Sequence, residues 1–260
     1  MRALRAAAAG IVLAACAPAP VHAADAVRSD PFLRLAPAVE RIARLHAQSG
    51  QGVMAQRSRR GLADALRDFD AGVKAALAAA PGAEARENYV LLSMLWHDYR
   101  EWAQRPPTRE TARKLRERTE EVAWIASKGV RLTGESSRAA TGAASVRASQ
   151  AALASQRVAK AYLWRRWDIR DEGLDRELRE ARENLPRALE AIAATPGIAP
   201  ETLAQVDSAR TQWRFLSDAA TQLDASAANA RALEFACKAA DHILEAMERV
   251  MEDASRAERR

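Results

Sequence analysis

The sequence predicts an all-α protein built from two tandem antiparallel four-helix bundles, eight helices in total, behind an N-terminal signal peptide. Glycine and proline are few, 11 and 10 among 260 residues, and they cluster between long stretches of alanine, leucine, arginine and glutamate, which favour helices. Apolar residues in these stretches recur every three or four positions, the spacing of one buried helical face. No convincing alternating pattern of a β-strand accompanies them.

The first 23 residues, MRALRAAAAGIVLAACAPAPVHA, predict a signal peptide. Two arginines precede an apolar run from Ala6 to Ala15, which is too short to cross about 30 Å of hydrocarbon. Cleavage after Ala23 would release a soluble periplasmic protein. The lipobox Leu13-Ala14-Ala15-Cys16 offers a competing cleavage, after which a lipid on Cys16 would be the only membrane attachment. Both interpretations place the protein in a bacterial envelope.

Four predicted helices fill the first half of the mature chain. Pro81-Gly82 and Pro106-Pro107 fall at breaks between helices, because both residue types interrupt helical structure. The stretch TGESSRAATGA, residues 133–143, is the predicted joint between the halves. The predicted helices of this half span residues 32–60, 62–80, 84–104 and 108–133.

Four more helices are predicted in the second half, where two stripes show the clearest helical periodicity. Short connections after residues 80, 104 and 194 favour antiparallel neighbours, as in a four-helix bundle. The predicted helices span residues 143–169, 172–194, 200–224 and 227–256. The stripes are Leu174, Leu178, Ala181, Leu185, Leu189 and Ile192, then Leu233, Cys237, Ala240, Leu244, Met247 and Met251.

The two halves, residues 31–133 and 143–257, repeat several features and are predicted to be tandem domains. The dipeptide Gln-Arg recurs at an offset of 100 residues, and later turn signals recur in the same order. Two diverged copies of one four-helix unit explain this repetition. The matching residues are Ser49 and Ser149, Gln56 and Gln156, Arg57 and Arg157, and later Pro81-Gly82 and Pro196-Gly197.

The stretch SQAALASQRVAKAYL, residues 149–163, resembles the motif of the PilJ/NarX-like N-terminal sensory domain. That family is the periplasmic helical module of type IV pilus chemotaxis transducers and of nitrate and nitrite sensor kinases. The match covers Ser155-Gln156-Arg157, Ala159-Lys160 and Tyr162-Leu163, whereas the first half keeps only Gln56-Arg57. The resemblance implies two helical sensory copies and a role in signal transduction.

The resemblance also implies where a ligand would bind. In the nitrate sensors, an arginine early in the motif holds the anion at a two-fold helix interface. The matching positions here are Gly52 and Ala152, whose side chains cannot bind an anion. Nitrate recognition by that route is therefore not expected in this chain.

Arg157 is predicted to lie on a mostly apolar helix face with Val146, Leu153 and Trp164. A buried guanidinium needs a counterion, so two interpretations follow. In the first, Arg157 pairs with a glutamate of a neighbouring helix and fixes the register of the bundle. In the second, equivalent helices present Arg57 and Arg157 to each other and form a small-anion site. The candidate ligand-binding residues are Gln56, Arg57, Gln156 and Arg157.

Other polar and aromatic residues are expected to be structural. Trp96, Tyr99 and Trp102 have core spacing, His97 is placed to pair with Glu101 on the surface, and Cys237 lies on a buried stripe. The histidines lack metal spacing, and no nucleophile elbow, phosphate loop or paired catalytic carboxylates occur. We therefore expect no metal, no cofactor and no enzymatic activity.

Charge excludes one class of partner. Removing the two leader arginines from 40 basic residues leaves 38 against 34 acidic residues, and the two signs are interleaved along the chain. Nucleic-acid binding would need a stripe of one sign, so no nucleic-acid partner is expected.

Two function classes remain. The first is an exported sensory-type protein that binds a small anion such as nitrate or nitrite, or docks onto a membrane sensor kinase or chemoreceptor. The alternative is a structural or chaperone-like periplasmic scaffold that has lost ligand binding, because fold kinship does not determine function.

Overall fold

Eight α-helices make up the computed structural model, which describes residues 30–134 and 140–257. These ranges contain no β-strand, so the predicted all-α class and its eight helices are confirmed. The predicted signal peptide and both of its cleavage sites lie outside the described residues. The helices are α1 (Pro31–Gly50), α2 (Ala55–Ala79), α3 (Gly82–Gln104), α4 (Arg109–Gly134), α5 (Ala140–Arg166), α6 (Glu172–Ala193), α7 (Pro200–Ala225) and α8 (Ala230–Ala257).

The predicted first helix, residues 32–60, is wrong in its second half, because α1 ends at Gly50. Gly52 adopts a left-handed conformation with φ of 73°, which glycine adopts without steric penalty. The amide of Val53 donates to the carbonyl of Gln48 at 3.0 Å, and that of Gly52 donates to Ser49 at 3.3 Å, a Schellman-type helix end. The pair Gln56-Arg57 therefore lies in the first turn of α2.

Each half repeats the same pattern of helix contacts. In the first half, α1 packs on α2 and α4, and α3 packs on α4 and α2. In the second half, α5 packs on α6 and α8, and α7 packs on α8 and α6. The two halves then meet chiefly through α1 and α5, and one continuous apolar core runs through both.

The central helices α1 and α5 run parallel to each other. In the first turn of α1, the carbonyl of Leu33 accepts from Ser149 Oγ of α5 at 2.5 Å. Near their ends, Gln51 Nε2 donates to the carbonyl of Leu163 at 2.6 Å. Small residues let α5 approach several helices closely, since the alanines at 148, 151, 152, 159 and 161 are fully buried.

Equivalent positions in the first two helices of each half lie 116 residues apart, not the predicted 100. The segment VERIAR (39–44) of α1 occupies the place of SQRVAK (155–160) in α5. Glu40-Arg41, and not Gln56-Arg57, is therefore the counterpart of Gln156-Arg157. Buried residues of α2 and α6 agree: Ser58, Ala65, Phe69, Val73 and Ala76 match Leu174, Ala181, Leu185, Leu189 and Ile192.

Several predicted core positions are confirmed. Every residue of the two predicted stripes in the second half is buried, including Cys237. Trp96 and Tyr99 are buried and Trp102 is partly buried, while the exposed His97 lies 3.6 Å from Glu101. No helix in residues 30–134 and 140–257 is long and apolar enough to cross a membrane.

Two helical glycines offer a test of the packing. A Cβ on Gly129 would lie 2.6 Å from Cζ of the buried Tyr89, whereas a Cβ on Gly61 would make ordinary contacts with Leu45 at 3.5 Å. We expect Gly129→Ala to lower the free energy of unfolding by about 1–3 kcal/mol through overpacking. Gly61→Ala should instead raise it by about 0.5–1 kcal/mol through better helix propensity. Urea denaturation of both variants measures the difference, and equal effects would contradict the described packing of α3 against α4.

Candidate functional site

A buried cluster of four charged residues lies where α1 contacts α5 and α6. Glu40 of α1 is completely buried, and its Oε1 lies 2.9 Å from Nε of Arg157 on α5. Lys160 Nζ donates to the same carboxylate and, at 2.6 Å, to Oε1 of Glu177 on α6. Glu177 Oε1 also lies 3.2 Å from Arg157 Nε. The predicted pairing of Arg157 with a glutamate from a neighbouring helix is therefore confirmed.

Electrostatics favour the charged forms of Glu40 and Arg157 despite their burial. Burial alone would raise the pKa of Glu40, but Lys160 and then Arg157 outweigh it, and the pKa lies below its usual range. Burial opposes the charge of Arg157, but Glu40 and Glu177 hold its pKa above the usual value. Lys160 also lies 4.6 Å from the ring centroid of the buried Trp164, a cation–π contact.

A second buried cluster centres on Arg44, one turn further along α1. Its guanidinium donates to Gln156 Oε1 at 2.8 Å, to Gln48 Oε1 at 2.7 Å and to Asp241 of α8. Gln156 Nε2 in turn donates to the carbonyl of Ala240 at 2.9 Å. Arg44 is thus a fully buried cation whose donors are shared among α1, α5 and α8.

The two clusters are related by the internal repeat. Arg44 corresponds to Lys160, and Gln156 corresponds to Glu40, so the contact of Arg44 with Gln156 is the counterpart of that between Lys160 and Glu40. The interface position in α1 holds the carboxylate of Glu40, whereas its counterpart in α5 holds the neutral amide of Gln156. The contacts across the interface therefore have an approximate two-fold relation, whereas its charges are distributed asymmetrically.

The four predicted site residues fall into two groups. Gln156 and Arg157 belong to the buried clusters, whereas Gln56 and Arg57 are exposed at the start of α2. Arg57 Nη2 lies 3.8 Å from Oδ2 of Asp241, and the Arg57 side chain is 55% exposed. It is not the counterpart of Arg157, which corrects the premise of two facing equivalent arginines. Ligand binding by these four residues stays a prediction.

Sequence reasoning missed the carboxylates that complete the clusters. Glu40, Glu177 and Asp241 lie on three different helices, and solvent-facing acidic residues of helices look the same in a sequence. One signal was available for Glu40, because VERIAR and SQRVAK share their arginine and alanine positions and carry a cation at the end.

Two surface clefts lie at equivalent places in the two halves. The α1–α2 cleft has a volume of about 440 Å³, and the α5–α6 cleft has a volume of about 450 Å³. Each residue lining the α5–α6 cleft has a counterpart, 116 residues earlier, lining the α1–α2 cleft. Examples of these counterparts are Arg41 and Arg157, Ala65 and Ala181, Asp68 and Asn184, and Gly72 and Ala188.

The linings of the two clefts differ in chemistry. The α5–α6 cleft carries three arginines and two amides and no carboxylate: Arg147, Arg157, Arg187, Gln150 and Asn184. The α1–α2 cleft, which α8 also lines, carries two arginines and three carboxylates: Arg34, Arg41, Asp68, Glu248 and Glu252. Neither set makes a metal site, and within residues 30–134 and 140–257 no group of histidine, cysteine and acidic residues could hold one.

No family model, no curated protein and no solved structure matches this chain. The resemblance to the PilJ/NarX-like sensory domain therefore rests on the motif at residues 149–163 and stays a prediction.

The four-residue cluster predicts a strong and pH-dependent effect of neutralising Glu40. Glu40→Gln leaves Arg157 and Lys160 with one carboxylate between them, and we expect a loss of about 3–5 kcal/mol in the free energy of unfolding near pH 7. Because the folded-state pKa of Glu40 is lowered, its stabilising contribution is complete above the unfolded value of about 4.3 and is lost as pH falls below it. The difference between variant and parent should therefore shrink in acid.

Guanidinium denaturation at several pH values measures this difference. Glu117→Gln is the matched control, because Glu117 forms an exposed pair with Lys114 at 3.2 Å and should contribute at most about 0.5 kcal/mol. A constant difference between Glu40→Gln and the parent down to about pH 3 would refute the ionised cluster.

Proposed function

We propose that this protein is an exported, sensory-type ligand-binding protein that takes a small anion into the α5–α6 cleft. The observation that carries the proposal is the charge of that cleft, since all charged residues among its described lining are arginines. Gln150 and Asn184 add amide donors at the same surface. Guanidinium and amide groups together suit a planar or tetrahedral oxyanion.

Arg157 would be the innermost recognition residue. Its ion pairs with the carboxylates of Glu40 and Glu177 both use Nε, which these carboxylates hold in place. Among the described residues, no hydrogen bond engages its terminal nitrogens, and the side chain is a quarter exposed. A guanidinium fixed through Nε keeps two parallel donors for an anion, and this preorganisation lowers the entropic cost of binding.

Arg147 and Arg187 would attract the anion from solution. Both residues are exposed at the edge of the cleft. Arg147 donates to Gln150 at 3.0 Å, and Arg187 has an exposed carboxylate, Glu183, at 3.5 Å. Such exposed contacts are weak, so an incoming anion can replace them.

Export and signalling partners belong to the same proposal. The leader supports a periplasmic location, either soluble or anchored through Cys16. The sensory-domain motif supports nitrate or nitrite as candidate anions and a membrane sensor kinase or chemoreceptor as the partner. The scaffold alternative makes no use of a cleft whose charges have one sign.

Thermal denaturation of the mature chain with added anions tests the proposal. Nitrate, nitrite, sulfate and phosphate are compared with chloride at matched ionic strength. A specific anion at 100 times its dissociation constant should stabilise the fold by about 2.7 kcal/mol. Equal effects of all salts at equal ionic strength would favour the scaffold alternative.

Variants locate the site. Arg147→Gln combined with Arg187→Gln should weaken anion binding about tenfold, since two charge-assisted contacts are lost. The unliganded stability should change by less than about 0.5 kcal/mol, because both residues are exposed. Arg179→Gln is the control, since Arg179 is an exposed arginine of α6 outside the cleft lining. Equal affinities of the double variant and the control would place the anion elsewhere.

A further inference from the structure

Arg41, the counterpart of Arg157, has lost both of its equivalent counterions. Arg157 is held by Glu40 and Glu177. At the corresponding positions around Arg41 the chain has the neutral Gln156, whose oxygen accepts from Arg44, and Gly61, which has no side chain. Within residues 30–134 and 140–257, Arg41 Nε is buried without a hydrogen-bond partner. The repeat thus leaves one guanidinium without the carboxylates that its counterpart has.

Arg41 lines the α1–α2 cleft, whose interior is largely apolar. Leu35 and Phe69 belong to the apolar core and also line the cleft, as do Leu244 and Met251 from α8. Arg34 is paired with Glu252 at 2.7 Å, so these two charges largely cancel. The cleft therefore combines Arg41, which forms no ion pair with the described residues, with an apolar surface large enough for a chain of several carbon atoms.

Glu248 of α8 lines the same cleft. It is partly buried and makes no hydrogen bond or ion pair with the described residues. Burial raises the pKa of Glu248, and Glu252 and Glu245 add to this, against the opposing effect of Arg34 and Arg41. A raised pKa favours the neutral carboxyl, which repels an incoming anion less than an ionised one would.

We propose that the α1–α2 cleft binds an amphipathic monocarboxylate. The carboxylate of the ligand accepts hydrogen bonds from the guanidinium of Arg41. It takes the role at Arg41 that two glutamates have at Arg157. The apolar body lies against Phe69, Leu35 and Met251. This site is separate from the α5–α6 cleft and does not depend on the small-anion function, because the two clefts differ in lining and in the half of the chain that forms them.

Isothermal calorimetry of the mature chain with octanoate tests the proposal. Octanoate should bind saturably with one site per chain, and octylammonium, which carries the opposite charge on the same alkyl body, should bind at least about tenfold more weakly. Arg41→Gln should weaken octanoate binding about tenfold. Arg147→Gln with Arg187→Gln should leave it unchanged, so failure of one site is distinguishable from failure of the other.

Gly61→Glu provides a second, independent variant. It restores the counterpart of Glu177, and the space around Gly61 accepts a side chain, with Leu45 at 3.5 Å from the new Cβ. The internal carboxylate should compete for Arg41 and weaken octanoate binding, whereas Gly61→Ala should bind octanoate like the parent. Absence of octanoate binding, equal binding of octylammonium, or unchanged affinity in both Arg41→Gln and Gly61→Glu would overturn the proposal.

Discussion

Beside the ion pair of Arg44 with Asp241, the fully buried carboxylate of Glu40 joins the two halves of this molecule electrostatically. It has no access to water, and the two cations that neutralise it, Arg157 and Lys160, both come from the other half of the chain. Burying such a charge is costly unless its partners are held in place. The parallel contact of α1 and α5, the position of α6 and the orientation of Arg157 toward its cleft all depend on satisfying that requirement.

Divergence between the repeats accounts for the chemical differences between the two clefts. The apolar positions facing the core are retained from α2 to α6, so the backbone scaffold is the same. Substitutions of cleft residues, such as Asp68 for Asn184 and Ala71 for Arg187, change the sign and density of charge instead. Packing thus constrains the core-facing side of each helix and leaves the cleft-facing side free to change its charge.

The helices and their buried stripes could be predicted from the sequence, because apolar spacing reports directly on burial. The pairing of Arg157 with a glutamate also followed, since a cation on an apolar face requires a counterion.

The end of α1 could not be predicted, because it depends on a Schellman-type turn at Gly52. The equivalence of the halves was misplaced because the repeated Gln-Arg dipeptide is more conspicuous than VERIAR and SQRVAK, which share only an arginine and an alanine as identities. The partners Glu40 and Asp241 are remote in sequence from the cations that they bind.

The unequal pair formed by Glu40 and Gln156 has a consequence for the assembly of such proteins. Two identical subunits related by a dyad would have to present the same side chain from both central helices, giving either two buried acids or none. Covalent linkage of the two copies removes that restriction. One copy can then carry a buried acid that pairs with cations of the other copy, while the equivalent position of the other copy stays neutral. Neither half could therefore replace the other in a homodimer without losing this balance of charge.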